Sequence, residues 1–322
     1  MPPPARSSTS ALSRGIHHVT AIASDPQRNI DFYAGTLGLR LVKVTVNFDD
    51  PGTYHLYYGD PTGAPGTILT FFPWQGMSPG RVGSGETGET TFLVPSGSLA
   101  AWQSRLSAAG VPLDGSQKRL GRTVLRFRDP DGMALGLTES EHASTSDAII
   151  GFHSVTLCLR ATEATEKLLT EEMGFVRDAE EDGRLRFRSD AGTSPGGTSP
   201  GAFVDLLLQP SANRGRQGAG TVHHVAFRSP SPEAQDAARE ALVAQGLGVT
   251  EAVDRTYFRS IYFREPGGVL FEIATDPPGF AVDEAPNALG TSLRLPPQHE
   301  RLRPALLQHL PKLKLPTGET LP

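Results

Sequence analysis

The chain has 322 residues, 38% of them hydrophobic and 20% charged, with a formal net charge of −5. This is the composition of a globular protein with enough apolar content for one large core or two ordinary ones. It has no sizeable Lys/Arg cluster, so nucleic acid and anionic membranes find no electrostatic footprint. No apolar run approaches the roughly 20 residues that span a bilayer.

The first 14 residues, MPPPARSSTSALSR, lack an apolar signal core and read as a flexible N-terminal tail. A first strand is predicted over about 16–23. Asp25 then offers an N-cap and Pro26 the first helical position, starting a helix that should end near Leu37 at Gly38. The same grammar returns three times. A second unit offers strand 90–95, helix 97–109 and Gly110, and then the hairpin turn Asp129-Pro130-Asp131-Gly132. After the polar stretch 139–150, a third unit offers strand 152–159, helix 162–173 and Gly174. It also contains the Gly/Ser/Thr/Pro run 191–201, which reads as a mobile loop. The fourth gives strand 222–228, Ser231 as N-cap, Pro232 at the first helical position, a helix to about Gln245, and Gly246. The turn Glu265-Pro266-Gly267-Gly268 follows. The proline-rich segment 296–322, with one short amphipathic helix around 299–310, reads as a tail strapped over the surface.

Each unit is βαβββ-like and too small to hide one face of its own sheet, so units should pair around a shared pocket. The fold class is α+β: four βαβββ modules forming two paired, curved half-barrels. Modules one and two occupy 15–140, modules three and four 151–280, and a C-terminal tail 281–322. The single cysteine, Cys158, excludes internal disulfides, suits a cytoplasmic protein, and reads as a small buried hydrophobe.

Two modules open on a double histidine. Aligned by strand start, Ile16-His17-His18-Val19-Thr20 lies over Phe152-His153-Ser154-Val155-Thr156 and Val222-His223-His224-Val225-Ala226. The strands that end the modules align on a proline five residues downstream. This puts Asp205 and Glu272 on one line, with the corresponding positions near Gly136 in module two and near Phe71 in module one. Neighbouring strand residues face opposite ways, so one histidine of each pair faces a given pocket. If it is the second, pairing modules one and four assembles His18, His224 and Glu272. Two imidazoles and a carboxylate make a set suited to a non-haem ferrous ion with open positions. Pairing three with four gives Asp205, His224 and Glu272 with Ser154, which is oxygen-rich. Pairing two with three leaves Asp205 and Ser154, an empty site in which Asp205 reads as a hydrogen-bonded structural carboxylate. If the first histidines face inward instead, His17, His153 and His223 become the candidates.

Several long blocks carry a family resemblance: GIHHVTAIASDPQRNIDFYAGTLGLRLVKVTVNFDD, YHLYYGDPTGAPGTILTFFPW, GFHSVTL, TVHHVAF and DRTYFRSIYFREPGGVLFEIATDPPGF. Over about 15–295 the chain resembles the vicinal-oxygen-chelate superfamily, which unites glyoxalases, bleomycin-resistance proteins and extradiol dioxygenases. It is most similar to a ring-cleaving branch that includes hydroquinone 1,2-dioxygenases. The resemblance implies glyoxalase-like half-barrels and Fe(II), or alternatively Mn(II), held by His18, His224 and Glu272. It also implies Arg255 and Tyr262 as substrate-binding and acid/base groups, with His17, His223 and Thr20 close by. Strict strand alternation turns His17 and His223 away from the metal, so their approach requires a twist or a bulge. The expected reaction is extradiol-type opening of a hydroquinone- or catechol-like diphenol by O₂, with Arg255 stabilising charge and Tyr262 bonding or moving a proton. Phe32, Phe71, Phe72 and Trp74 could form apolar walls, with core packing their more ordinary use. Neither a nucleic-acid nor a membrane partner is expected, and a homo-oligomer is compatible with the composition. Three rivals stand beside this reading: an isomerase or lyase using Zn or Ni on the same fold, a non-catalytic binding protein, and a site between modules three and four.

Overall fold

Strands rich in Val, Ile, Thr and aromatic residues alternate with capped helices throughout the computed structural model. It describes residues 12–141, 144–189, 193–194, 197–315 and 317–321. Module one comprises β1 (Ile16–Ala23), α1 (Pro26–Ile30), β2 (Arg40–Val46), β3 (Tyr54–Gly59) and β4 (Ile68–Pro73). Module two comprises β5 (Glu86–Val94), α2 (Leu99–Ala108), β6 (Leu113–Arg119), β7 (Arg122–Arg128) and β8 (Ala134–Glu139). Module three has β9 (Gly151–Leu159), α3 (Glu163–Lys167), β10 (Phe175–Glu181), β11 (Arg184–Ser189), the two-residue strands β12 (Thr193–Ser194) and β13 (Gly197–Thr198), and β14 (Phe203–Leu208). Module four has β15 (Thr221–Ser229), α4 (Pro232–Ala244), β16 (Val253–Asp254), β17 (Phe258–Arg264) and β18 (Leu270–Pro278).

The helix starts follow the sequence signals. The Asp25 carboxylate accepts from the Arg28 N–H at 2.8 Å, and the Ser231 hydroxyl accepts from the Ala234 N–H at 3.2 Å, each just before a proline. Two helices depart from expectation. Helix α1 widens into a π-helical stretch over Asp31–Thr36, and α3 does the same over Leu168–Glu172. At both places two successive bulky residues, Phe32-Tyr33 and Leu168-Leu169, enter the core, and the wider turn accommodates them.

Two eight-stranded sheets result, ordered β16-β17-β18-β15-β1-β4-β3-β2 and β10-β11-β14-β9-β5-β8-β7-β6. Modules one and four share the first through antiparallel β1 and β15, and modules two and three share the second through β5 and β9. Each sheet therefore draws on both sequence halves, 15–140 and 151–280. The hairpin turns tie the sheets together. Tyr33 donates to Asp129 at 3.0 Å, and Thr165 to Glu265 at 2.6 Å.

The C-terminal segment is part of the core, more than a surface strap. A 3₁₀ turn (Pro297–Leu302) leads into α5 (Arg303–His309), and Leu306, Leu310, Leu313, Leu315 and Leu321 are all buried. Leu293 and Arg294 pair with the exposed edge of β2 at Val44, covering a strand edge that would otherwise be free. The fully buried Lys43 ammonium is held by Asp283 and Glu284. At the other terminus, Leu12 and Arg14 donate backbone bonds to Glu172 and Arg228, so these residues of the expected tail are anchored. Residues 1–11 and most of the expected loop 191–201 lie outside the described residues or have undescribed side chains. Among the described residues no helix is long and apolar enough to cross a membrane.

Candidate metal centre

Strand pairing brings three chemically matched side chains to one point. On β1, His18 lies opposite Ala226 of β15, and Ala226 is the parallel neighbour of Glu272 on β18. His224 precedes Ala226 by two residues and so shares its face. Ala226, with its single methyl, leaves room for His18 and Glu272 to meet above it. His224 Nε2 is 2.8 Å and His18 Nε2 3.4 Å from Glu272 Oε2, and all three residues are buried. Their ligand-capable atoms lie within 4.8 Å of one another, the one such trio of metal-ligating groups found among the described residues. Ser260 donates to the other carboxylate oxygen, Oε1.

The trio fits a cation better than it fits itself. His224 Nε2 and Glu272 Oε2 are buried and, although close, not aligned as hydrogen-bond donor and acceptor; buried polar atoms rarely remain so. Burial raises the Glu272 pKa, but His18 and His224 outweigh it and hold the carboxyl well below its ordinary value. Burial lowers His224, against the pull of Glu272. A carboxylate beside a neutral imidazole is the protonation state a metal requires.

Each first histidine sits at a β-bulge. The β1–β15 register skips His17 between Ile16 and His18, and skips His223 between Val222 and His224. The bulge lets both rings of a pair lean together: His17 Nδ1 is 2.9 Å from His18 Nδ1, and His223 Nδ1 is 2.7 Å from His224 Nδ1. Their positions differ otherwise. His223 lines the pocket above the trio, whereas His17 faces a smaller cavity behind Phe258, whose ring packs on both His17 and His18.

The pocket above the trio has a volume of about 410 Å³. Phe48, Phe72, Trp74 and Phe258 give it aromatic walls, while Phe32 and Phe71 pack in the core. Thr20, Arg255 and Tyr262 also line it. Arg255 donates to the Tyr262 hydroxyl at 3.1 Å and, from module four, reaches Asp49 of module one at 3.0 Å. Burial works against the Arg255 cation, but Tyr262 and Asp49 outweigh it and raise its pKa. Burial, then the charge of Glu272, raises the Tyr262 phenol, which stays protonated at neutral pH.

Sequence reasoning missed His55 and Tyr57, which alternate onto the pocket face of β3; the run Tyr54-His55-Leu56-Tyr57 carries the period-two signal that marks them. It also placed the module-one acid position near Phe71. The register puts it at Thr70, opposite Thr20, because the alignment was one residue out; Gly136 is opposite Thr91 as expected. A third omission was Glu89. It lies opposite Thr156 as His18 lies opposite Ala226, and it was lost because β5 begins at Glu86 and not at 90.

In the second half-barrel Glu89, Ser154 and Asp205 thus stand where the first has His18, His224 and Glu272. The two carboxylates hold guanidinium groups. Arg119 and Arg126 bond Glu89, and Arg184 and Arg186 bond Asp205, with Arg186 bidentate at 2.7 and 2.8 Å. His153 Nδ1 is 3.0 Å from the Ser154 hydroxyl.

A family model described as Glyoxalase/Bleomycin resistance protein/Dioxygenase superfamily matches residues 15–137 and 145–273. The chain belongs to this superfamily. Among curated relatives it is 47% identical over 306 residues to a Bacillus subtilis (strain 168) protein named "Putative ring-cleaving dioxygenase MhqO", covering 92% of this chain and 95% of that one. It is 32% identical over 313 residues to a chlorohydroquinone/hydroquinone 1,2-dioxygenase of Sphingobium indicum, covering 91% and 95%. A solved structure from Bacillus subtilis, titled a putative dioxygenase, superposes with a TM-score of 0.89 at 45% identity over 95% of this chain and 99% of that one. Maize glyoxalase I, at 14% identity, covering 81% of this chain and 92% of that one, with a TM-score of 0.62, shares the fold.

Proposed function

We propose that the protein is an extradiol-type, ring-cleaving dioxygenase that opens hydroquinone- or catechol-like rings with O₂ and uses Fe(II) held by His18, His224 and Glu272. One observation carries the reading: the three buried ligand atoms converge at a pocket walled by Phe48, Phe72, Trp74 and Phe258. The names of the relatives support the reaction class. When bound, a ferrous ion supplies open coordination positions and a route for electron density between an electron-rich ring and O₂.

The chain's own residues supply binding and charge control. The aromatic walls suit a flat ring and exclude water from it. Arg255, fixed in direction by Asp49, faces the pocket as a permanent cation for developing oxyanion charge. Because the Tyr262 oxygen already accepts from Arg255, its O–H is directed elsewhere and serves as donor to a phenolic oxygen. His17 and His223 orient the rings of His18 and His224.

The test is anaerobic loading with Fe(II) followed by oxygen-electrode assays across hydroquinones and catechols. Oxygen uptake matched by loss of ring absorbance supports the proposal. Iron-loaded protein that consumes no O₂ with any diphenol sinks it. Turnover with Zn or Ni in place of iron would favour an isomerase, and tight ring binding without turnover a binding protein.

A further inference from the structure

Four side chains on the other bank of the pocket form a continuous hydrogen-bonded line. His224, Thr20, Thr70 and Tyr57 are successive cross-strand neighbours on β15, β1, β4 and β3. His55 lies two residues before Tyr57, on the same face. Tyr57 OH is 2.9 Å from His55 Nδ1, His55 Nε2 is 2.8 Å from Thr70 Oγ1, and Thr70 donates to Thr20 Oγ1 at 2.9 Å. All four are buried, yet Thr20, His55 and Tyr57 line the pocket.

With both ring nitrogens engaged, His55 is no ligand for the metal. Burial, reinforced by repulsion from His18 and His224, keeps its ring neutral. A neutral imidazole donates from one nitrogen and accepts at the other. Thr70 spends its hydrogen on Thr20, so it accepts from Nε2–H, and Nδ1 accepts from Tyr57. Four groups carry four hydrogens for three links. The fourth hydrogen, on Thr20, is left for the pocket, and the free acceptor is the Tyr57 oxygen at the far end.

We propose that Tyr57, His55, Thr70 and Thr20 form a proton relay that delivers a proton at Thr20 to an oxygen of the bound diphenol and takes one up at Tyr57. This rests on the diphenol reading given above. The Thr20 O–H proton passes to substrate, Thr70 replaces it, Nε2–H replaces that of Thr70, and the Tyr57 proton moves to Nδ1. Tyr57 then takes a proton from solvent water entering the pocket it lines, and the resulting charge is neutralised by the bulk. Every bond to hydrogen that breaks is matched by one that forms, and the imidazole changes tautomer with no change in charge. His55 is a positioning residue that acts through the two ends, and a glutamine in its place can bridge Tyr57 and Thr70 but cannot exchange protons between its ends.

The experiment compares H55Q, Y57F, T20V and T20S with the parent protein, all loaded with Fe(II), by oxygen electrode, metal analysis and thermal unfolding. H55Q, Y57F and T20V should each lose about a hundredfold in kcat with KM within about threefold. T20S should restore most of the rate, with metal content and unfolding temperature close to the parent's. Unchanged kcat in H55Q, or a T20S variant as slow as T20V, overturns the relay. So does a rate loss that only tracks lost metal or lost stability. A parent protein that turns over no diphenol overturns the dioxygenase reading instead. The line of bonds is therefore checked separately, by ¹⁵N NMR of histidine-labelled protein with H55Q to assign the signal. The relay requires a neutral His55 near pH 7 with Nε2 protonated and Nδ1 bare; a charged ring or the opposite tautomer overturns it.

Discussion

The Nδ1 atoms of His223 and His224 lie 2.7 Å apart, and the same contact recurs at 2.9 Å between His17 and His18. Each contact exists because the first histidine occupies a bulge, so two consecutive rings lean together where a regular strand would send them to opposite faces. When the second ring donates from Nδ1 across this contact, its Nε2 carries no hydrogen and faces Glu272 with a lone pair. The two pairs are not equivalent, however, because of the two first histidines only His223 lines the pocket above the trio.

His17→Gln and His223→Gln should therefore separate two effects. Loss of an orienting partner costs about 10–100-fold in metal affinity, and both variants should show it in competition titrations against a chelator. Only His223→Gln should also change KM for a diphenol. A KM change of equal size in His17→Gln would contradict the placement of that ring behind Phe258.

Metal retention should divide the two half-barrels. One transition-metal ion per chain is expected. His18→Ala and Glu272→Gln should abolish binding, while Asp205→Ala and His153→Ala retain it, because the equivalent centre of the second half-barrel is filled by arginines. Metal analysis after gel filtration reads the outcome. Two ions per chain, or iron lost with Asp205→Ala alone, would move the centre elsewhere.

Much of this architecture was legible because each module repeats the same local chemistry: a cap, a proline, a helix and a terminal glycine. Gly38, Gly110, Gly174 and Gly246 all adopt positive φ, between 70° and 81°, so the stop signals reported real backbone geometry. What escaped the sequence depended on register. Glu89 and Thr70 were each missed through a strand start or alignment placed a few residues or one residue away, and a one-residue slip changes which face a side chain occupies. The π-helical widenings follow from tertiary packing of Phe32-Tyr33 and Leu168-Leu169, which no local propensity encodes. His55 and Tyr57 were readable as an alternating pair, but nothing in β3 alone says which face meets the pocket above His18, His224 and Glu272.

Arg255 and Tyr262 should differ in what they contribute. Removing the guanidinium takes away a cation aimed at developing charge, so Arg255→Ala should lose about 10²–10³-fold in kcat. Tyr262→Phe keeps the ring and removes one hydrogen bond, so a loss of about tenfold is expected, shared between kcat and KM. Steady-state oxygen uptake measures both. Equal, small effects would relegate the pair to closing the pocket through Asp49.

Glu89 offers a stability test independent of catalysis. Burial raises its pKa, but Arg119 and then Arg126 outweigh that and bring it below the ordinary 4.5. A depressed carboxyl pKa means that the folded state binds the ionised form better than the unfolded chain does. The contribution is complete above the unfolded value near 4.5 and is lost as pH falls through the lower, folded one. Glu89→Gln leaves Arg119, itself 8% exposed, without its counterion. It should cost about 3 kcal/mol at pH 7 in urea unfolding. The gap between variant and parent should narrow as the pH falls below the ordinary 4.5 and through the depressed folded value, where the parent's own carboxylate takes up its proton. A gap that stays constant down to pH 3 would show that Glu89 acts through shape and packing, and that the guanidinium cluster of the second half-barrel does not depend on its charge.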